Sequence, residues 1–167
     1  LRDTFPLFAK DEEGKEVLVL KDFNSWGEKF PPWEADASLG QTMAKELGLL
    51  AQDLGIVLEG GALEWNGEGL LVTTEECLLE PKRNPKLSKA DYEARFKALG
   101  IAHTLWLGKG LEHDHTDGHI DNLLRFVNPK TLVMAKTDAS GKENKKRFRE
   151  NLALTEAFVE KHGLKDR

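Results

Sequence analysis

The sequence predicts an α/β protein assembled from a repeated strand–strand–helix–strand unit. Strand-length apolar runs alternate with helix-length amphipathic segments, and the order hairpin, helix, strand is followed by a second hairpin and helix. One such small unit cannot bury its sheet alone, so neighbouring units must stack. We therefore expect a partial α/β propeller built of ββαβ blades, with a three-layer α/β sandwich as the alternative.

The first part of the chain predicts two strands separated by a loop and a helix. Residues 16–20 predict a strand, because Val17-Leu18-Val19-Leu20 is a continuous apolar run of the kind found in strands covered on both faces. Residues 22–33 contain two prolines and no period, which indicates a loop whose aromatic side chains pack, with a binding platform as the alternative. Residues 36–54 carry an apolar stripe at helical spacing and predict a helix that ends at Gly55. Residues 56–58 predict a short buried strand.

The rest of the chain predicts two hairpins and two helices. Asn66-Gly67 is a strong signal for a two-residue hairpin turn. Ser88 and Asp91 have the spacing of a capping box at the start of a helix. The predicted elements are strands at 62–65 and 70–73, a helix at 88–99, a strand at 101–107, strands at 123–127 and 131–135, a polar linker at 137–143, and a helix at 145–162. The last unit is thus expected to lack its closing strand.

Composition bounds the possible partners and compartment. The 167 residues carry a net charge of −5, which argues against nucleic acid or an anionic membrane as the main partner and fits a small cationic substrate. The single Cys77 excludes an internal disulfide and favours a reducing, cytoplasmic setting. The sequence has no apolar run of about 20 residues, no signal-peptide pattern and no initiator Met. We read it as a single partial domain, residues 1–167, cut from a longer chain.

The stretch from 114 to 122 concentrates the candidate chemistry. If it is extended, alternate side chains share a face, so His119 and Asp121 lie together. An imidazole beside a carboxylate can transfer a proton and hold a cation. Glu59 follows a buried strand and precedes two glycines, which leaves room for a ligand to approach. The alternative for Glu59 is a turn residue.

The histidines also allow a metal site. His113, His115, Asp117 and His119 spell His-x-His-x-Asp-x-His, which resembles the zinc motif of metallo-β-lactamase-like hydrolases. Gly118 separates the aspartate from the last histidine and departs from that motif. A zinc metallohydrolase is therefore an alternative, and a solvated loop with incidental histidines is another.

Cys77 is interpreted as a structural thiol. Its neighbours Glu75, Glu76 and Glu80 disfavour the thiolate form that a nucleophile needs. The sequence shows no evident helix N-terminus at this position. Cys77 is therefore not expected to attack a substrate.

Five segments in fixed order carry a resemblance to a known family. They are Asp3-Thr4-Phe5-Pro6, Phe23-Asn24-Ser25-Trp26-Gly27, Glu59-Gly60-Gly61, residues 71–79 with Arg83-Asn84-Pro85, and residues 116–122 (Thr-Asp-Gly-His-Ile-Asp-Asn). With these segments the chain resembles agmatine deiminases and bacterial-type peptidylarginine deiminases. The resemblance implies a pentein fold, a five-bladed α/β propeller of ββαβ blades.

The resemblance implies a site for a guanidino compound. His119 would be the general acid and base, Glu59 a second catalytic residue, and Asp3 and Asp121 the carboxylates that grip the substrate guanidinium. The substrate would be agmatine or an arginine of a peptide, with no cofactor and no metal. Phe5 stands where the family has glycine.

The resemblance also implies that residues 1–167 lack the nucleophile of the family. The family nucleophile is a cysteine in a late glycine-rich segment, and no cysteine follows Cys77. We therefore expect a deiminase that forms a Cys-linked intermediate, of which residues 1–167 alone are inactive. A non-catalytic binding module of the same fold is a further alternative. Self-association into a homo-oligomer is also expected, because an incomplete propeller exposes sheet edges.

Overall fold

The computed structural model describes residues 1–136 and 141–166. The described chain forms nine strands and six helices. The strands are β1 (Leu7–Lys10), β2 (Glu16–Asp22), β3 (Leu50–Val57), β4 (Glu64–Trp65), β5 (Leu70–Thr74), β6 (His103–Leu107), β7 (Leu124–Asn128), β8 (Thr131–Met134) and β9 (Lys165–Asp166). The helices are α1 (Ser25–Glu28), α2 (Glu34–Ala37), α3 (Leu39–Leu47), α4 (Glu75–Leu78), α5 (Lys89–Ala98) and α6 (Lys142–His162).

The strands pair into three sheets with one shared topology. The sheet orders are β1-β2-β3, β4-β5-β6 and β7-β8-β9. In each, the first two strands are antiparallel and the third runs parallel to the second, after a helical crossover. The described chain therefore contains three ββαβ units, which confirms the predicted repeat. A single three-layer sandwich is excluded, because the pairings divide the strands among separate sheets.

The chain divides into two compact units. Unit 1 comprises Leu1–Gly60 with Glu80–Leu87, and unit 2 comprises Gly61–Leu79 with the chain from Ser88 onward. Unit 1 contains the first sheet and helices α1 to α3. Unit 2 contains the other two sheets and helices α4 to α6.

The core of unit 2 is formed by its two sheets together with α6. Apolar side chains of β5 and β6 pack with those of β7 and β8, and the end of α6 adds Phe158 and Val159. The buried set is Leu70, Val72, Leu105, Leu107, Ile120, Leu123, Leu124, Leu132, Phe158 and Val159. The two sheets of this unit therefore bury one common set of side chains, as stacking of neighbouring repeats requires.

Two local predictions in unit 2 are confirmed. Asn66 closes the hairpin turn, since its Oδ1 accepts from the backbone N–H groups of Glu68 at 2.8 Å and Leu70 at 2.9 Å. Ser88 and Asp91 form the predicted capping box at the start of α5. The helix predicted at 88–99 and the strands at 101–107, 123–127 and 131–135 are also present, within a few residues of their expected bounds.

The helix predicted at 36–54 is wrong in its second half. The helix ends at Leu47 because Gly48 adopts the left-handed conformation, with φ of 63°. The chain then enters β3, which pairs in parallel with β2. Leu50 and Leu54 belong to this strand, although their spacing continues the helical stripe. Backbone pairing with β2 decided between two structures that the side-chain pattern allowed.

The prediction that the last unit lacks its closing strand is also wrong. Beyond α6, β9 pairs in parallel with β8, with Thr131 opposite Lys165. The strand is two residues long and polar, so no apolar pattern marks it in the sequence. The predicted linker at 137–143 falls partly on residues 137–140, which lie outside the described residues; α6 begins at Lys142.

Candidate active site

Glu59 is a fully buried carboxylate held by an arginine. It follows β3 in unit 1, and its exposed fraction is 0%. The Nε–H of Arg83 donates to Glu59 Oε1 at 2.8 Å and to Oε2 at 3.0 Å. Because the partner is a permanent cation, Glu59 is paired as a carboxylate inside the protein.

The segment that carries Arg83 is fixed to the end of β3. The side chain of Asn84 accepts from the backbone N–H of Val57 at 3.0 Å and donates to the carbonyl of Val57 at 2.7 Å. An amide side chain thus takes the place of a neighbouring strand. These two bonds bring Arg83 next to Glu59, although the two residues are 24 positions apart in the sequence.

The glycine after Glu59 serves backbone packing. The sequence predicts room for a ligand at the glycine pair that follows Glu59. A Cβ at Gly60, however, would lie 2.2 Å from the carbonyl oxygen of Arg2. The space at Gly60 is therefore taken by the N-terminal segment, which places Asp3 in the same region of unit 1.

Asp3 is held by a tight turn and by an indole. The backbone N–H groups of Thr4 and Phe5 both donate to the carbonyl of Leu1, so the turn forms with Phe5 in place of the family glycine. The Nε1–H of Trp26 donates to Asp3 Oδ2 at 3.1 Å. Trp26 also packs edge-to-face with Phe23. The aromatic loop therefore packs, as predicted, and in addition orients a candidate substrate-binding carboxylate.

Lys21 is a buried lysine close to both candidate site residues of unit 1, Asp3 and Glu59. Its side chain is 7% exposed, and its Nζ donates to the backbone carbonyl of Asp3. Burial lowers the pKa of Lys21 to about 8, against the opposing fields of Glu59 and Asp3, which raise it. Asp3 and Glu59 thus both lie near enough to Lys21 to act on its charge.

In unit 2, Asp114 organises the loop that ends at His119. Its Oδ2 accepts from the backbone N–H groups of Gly118 at 3.0 Å and His119 at 3.1 Å, and its carboxylate also accepts from Thr116. Burial alone would raise the pKa of Asp114, but the hydrogen bonds from these three residues outweigh it and leave the pKa lowered. The loop is therefore built around an ionised side chain.

Two glycines bring this loop against the rest of unit 2. A Cβ at Gly110 would lie 2.2 Å from the Cα of Gly118. Gly118 itself has φ of 88°, and its carbonyl accepts from Thr74 Oγ1 at 2.6 Å. Glu76 Oε2 accepts from the backbone N–H of Gly110 at 2.8 Å. The backbone just before His119 is thus fixed on both sides.

His119 and Asp121 lie at the start of a turn. His119 is 2% exposed, and a single 3-10 turn over Ile120–Asn122 follows it. The stretch is therefore not extended at this point, so the condition under which His119 and Asp121 were expected to share a face is not met; Ile120, between them, is buried in the core of unit 2. Asp121 is half-buried. The two-residue alternation of a strand therefore does not apply to the His119 and Asp121 side chains.

The four residues of the zinc alternative do not form a ligand cluster. The side chain of His113 is 91% exposed, and His113 and Asp117 both have positive φ, which turns the backbone between successive ligands. Within residues 1–136 and 141–166, no convergent group of three metal-binding side chains includes His113, His115 or Asp117. The zinc alternative is not supported.

Cys77 is fully buried at the beginning of α4. Its backbone N–H donates to Thr74 Oγ1, the N-cap of that helix, at 3.3 Å. The expectation that no helix N-terminus exists here is therefore wrong. The Cys77 sulfur and a ring nitrogen of His119 lie within 4.8 Å of each other. Buried cysteines are typically inert, which favours the interpretation of Cys77 as a structural thiol. That interpretation stays a prediction.

The roles of three supporting residues were not predicted, although Arg83 and Asp114 lie in segments singled out in the sequence. Lys21 closes an apolar strand run, Arg83 lies in a proline-bounded loop, and Asp114 lies in a polar loop with Gly118. Only Asp114 has a local signal, since an aspartate a few residues before a glycine is typical of a side-chain-stabilised turn. The other two act on residues distant in sequence.

The chain matches a known family and its curated relatives. It matches the family model described as Porphyromonas-type peptidyl-arginine deiminase over residues 1–166. It is 41% identical to the agmatine deiminase of Pseudomonas fluorescens, over 83% of this chain and 39% of that protein. It is 36% identical to the agmatine deiminase of Pseudomonas aeruginosa, over 99% of this chain and 46% of that protein.

A solved structure gives the same result. The agmatine deiminase of Enterococcus faecalis superimposes with a TM-score of 0.84 at 30% identity, over 92% of this chain and 44% of that one. The chain spans less than half the length of each of these relatives. It belongs to the Porphyromonas-type peptidyl-arginine deiminase family, and its fold is of the pentein type, represented in the described residues by three ββαβ units.

Proposed function

We propose that the protein is a hydrolase of guanidino groups that converts agmatine into a ureido product and ammonia. The observation that carries the proposal is the family match, which runs over residues 1–166 and so includes all four candidate site residues. Agmatine is favoured as the substrate because the relatives named above are agmatine deiminases. An arginine of a peptide is the alternative that the experiment distinguishes.

The acidic residues are proposed to bind the substrate cation. A guanidinium is planar and presents paired N–H groups, which fit carboxylates in a bidentate geometry. Asp3 and Asp121 would hold it, and the hydrogen bond from Trp26 would orient Asp3. Glu59, a buried carboxylate paired with Arg83, is proposed as the second catalytic residue, in addition to His119.

His119 is proposed to transfer the protons. A cysteine thiolate would attack the guanidinium carbon and form a C–S bond. His119 would protonate the departing nitrogen, so that the C–N bond breaks and ammonia leaves. It would then take a proton from water, whose oxygen attacks the same carbon and releases the thiolate. The net reaction consumes one water and yields the ureido product and ammonia.

The attacking thiolate is proposed to come from outside these 167 residues. Cys77 is the single cysteine of the sequence, and it is fully buried. The chain alone is therefore expected to bind agmatine without hydrolysing it.

The partners and the compartment of the protein stay predictions. We predict that the protein binds neither nucleic acid nor a membrane, is located in the cytoplasm and self-associates into a homo-oligomer. None of the helices within residues 1–136 and 141–166 combines the length and the apolar character that a membrane span requires.

The test combines an ammonia assay with agmatine titration followed by NMR. We expect no ammonia release and saturable agmatine binding, with no binding of putrescine, which lacks the guanidinium. Asp121→Asn should weaken binding at least about tenfold, the loss of one charge-assisted interaction. Asp117→Asn, a neighbouring aspartate, is the matched control. Preference for a blocked arginine peptide would favour the alternative substrate.

Two results would contradict the proposal. Enzymatic ammonia release by the chain would refute the assignment of the nucleophile to another segment. Equal shifts with agmatine and putrescine would show that the guanidinium is not recognised.

A further inference from the structure

Unit 2 contains a cleft whose lining includes none of the candidate active-site residues. It has a volume of about 390 Å³ and is lined by the end of α5, the start of β6 and the end of α6. Its lining includes Glu93, Lys97, His103, Lys161 and His162. Three elements distant in sequence thus bring titratable side chains into one small space.

Two of the five histidines of the chain meet in this cleft. The ring centroids of His103 and His162 are 4.6 Å apart, with the ring planes at 45°. Zinc binds imidazole nitrogen at about 2.0–2.1 Å, so two rings on one ion have centroids roughly 5 Å apart. The observed centroid separation is therefore close to that of two imidazoles that share a metal ion.

Both rings are carried by regular elements of secondary structure. The ring of His162 lies 4.4 Å from that of Phe158, one turn earlier on α6. Gly163 then ends the helix with φ of 61°. His103 is fixed at the start of β6 by its pairing opposite Leu70. This placement suits a site that needs defined ligand geometry.

Some charges around the cleft favour a bound cation and others oppose it. The C-terminal ends of α5 and α6 both lie at this cleft, and the negative ends of two helix dipoles favour a cation. Glu93 also lines the cleft, but its carboxylate accepts from the Nε1–H of Trp106 at 2.9 Å, and within the described residues it does not form a convergent three-ligand group with the two histidines. Lys97 and Lys161 oppose a cation, but both side chains are long and exposed, so they can hold their charges out in water.

We propose that His103 and His162 form a binding site for one divalent transition-metal ion of the Zn²⁺ class, with water completing its coordination. Neutral imidazole is a preferred ligand for these ions. The ion would join the start of β6 to the end of α6 and would therefore stabilise the folded state by mass action.

The test is titration of the metal-free protein with ZnCl₂, followed by calorimetry and thermal unfolding. We expect one ion per chain and a Tm rise of about 3–5 °C when free Zn²⁺ is about tenfold above Kd. His103→Gln and His162→Gln should each weaken binding at least about tenfold. The double variant His113→Gln with His115→Gln, at two exposed positions, is the matched control and should bind like wild type.

A second measurement keeps the test independent of folding. Long-range ¹H–¹⁵N NMR should show Zn²⁺-dependent shifts of ring nitrogens in both His103 and His162 of the wild-type protein. Shifts confined to other histidines, a loss of binding in the control variant alone, or no saturable binding would each overturn the proposal.

Discussion

The Nε–H of Arg83 donates to both carboxylate oxygens of Glu59, and neither side chain is exposed to solvent. The pair joins the residue after β3 to the segment 80–87 of unit 1. Removing one partner of a buried ion pair costs more stability than replacing both partners, because it leaves the other charge buried without a partner.

Replacing Arg83 with Met should destabilise the protein by about 3–5 kcal/mol, because it leaves the Glu59 carboxylate buried without its cation. Urea denaturation monitored by circular dichroism measures the change. The double variant Glu59→Gln with Arg83→Met should lose less than the sum of the two single variants. Lys82→Met, an exposed neighbour, should stay within about 0.5 kcal/mol of wild type. Strictly additive losses would contradict the coupling.

Lys21 should make stability rise with pH in the alkaline range. Its pKa is lowered from 10.5 to about 8 by burial, so between these values the unfolded chain binds more protons than the folded one. Stability contributed by this group therefore increases from about pH 8 to 10.5. Relative to Lys21→Met, wild type should gain up to about 3 kcal/mol across that window.

Urea midpoints at several pH values between about 7 and 10.5 test this difference. Lys10→Met is the matched control, because Lys10 is an exposed lysine of the same sheet. It should keep the pH dependence of wild type. Parallel profiles for wild type and Lys21→Met would show that Lys21 is not desolvated.

Replacing Gly110 with Ala should disturb the loop that carries His119. The new Cβ would lie 2.2 Å from the Cα of Gly118, and the nearest atoms that it meets all belong to the Gly118 backbone, so the loop must move. We expect a loss of about 1–3 kcal/mol and faster amide exchange at His119. Gly108→Ala is the control, since its nearest contact would be an ordinary 4.0 Å. Unchanged exchange at His119 would contradict the close approach.

Much of the fold could be predicted from local signals. The Asn66-Gly67 turn and the capping box at Ser88 each depend on neighbouring residues, and both are present. The helix predicted at 36–54 failed because Leu50 and Leu54 fit a helical stripe and a strand equally well. Pairing of β3 with β2, which brings Leu50 opposite Val17, decided the outcome.

The sequence by itself determined the repeated ββαβ unit, because the periodicity of each element depends on neighbouring positions. It also supplied the candidate site residues through resemblance to a family, and their roles stay predictions. Only the tertiary structure decided what holds those residues in place. Arg83 beside Glu59 and Trp26 against Asp3 join positions 24 and 23 residues apart, and the Gly110–Gly118 contact closes the loop before His119. Such contacts depend on how the backbone packs, which no local pattern specifies.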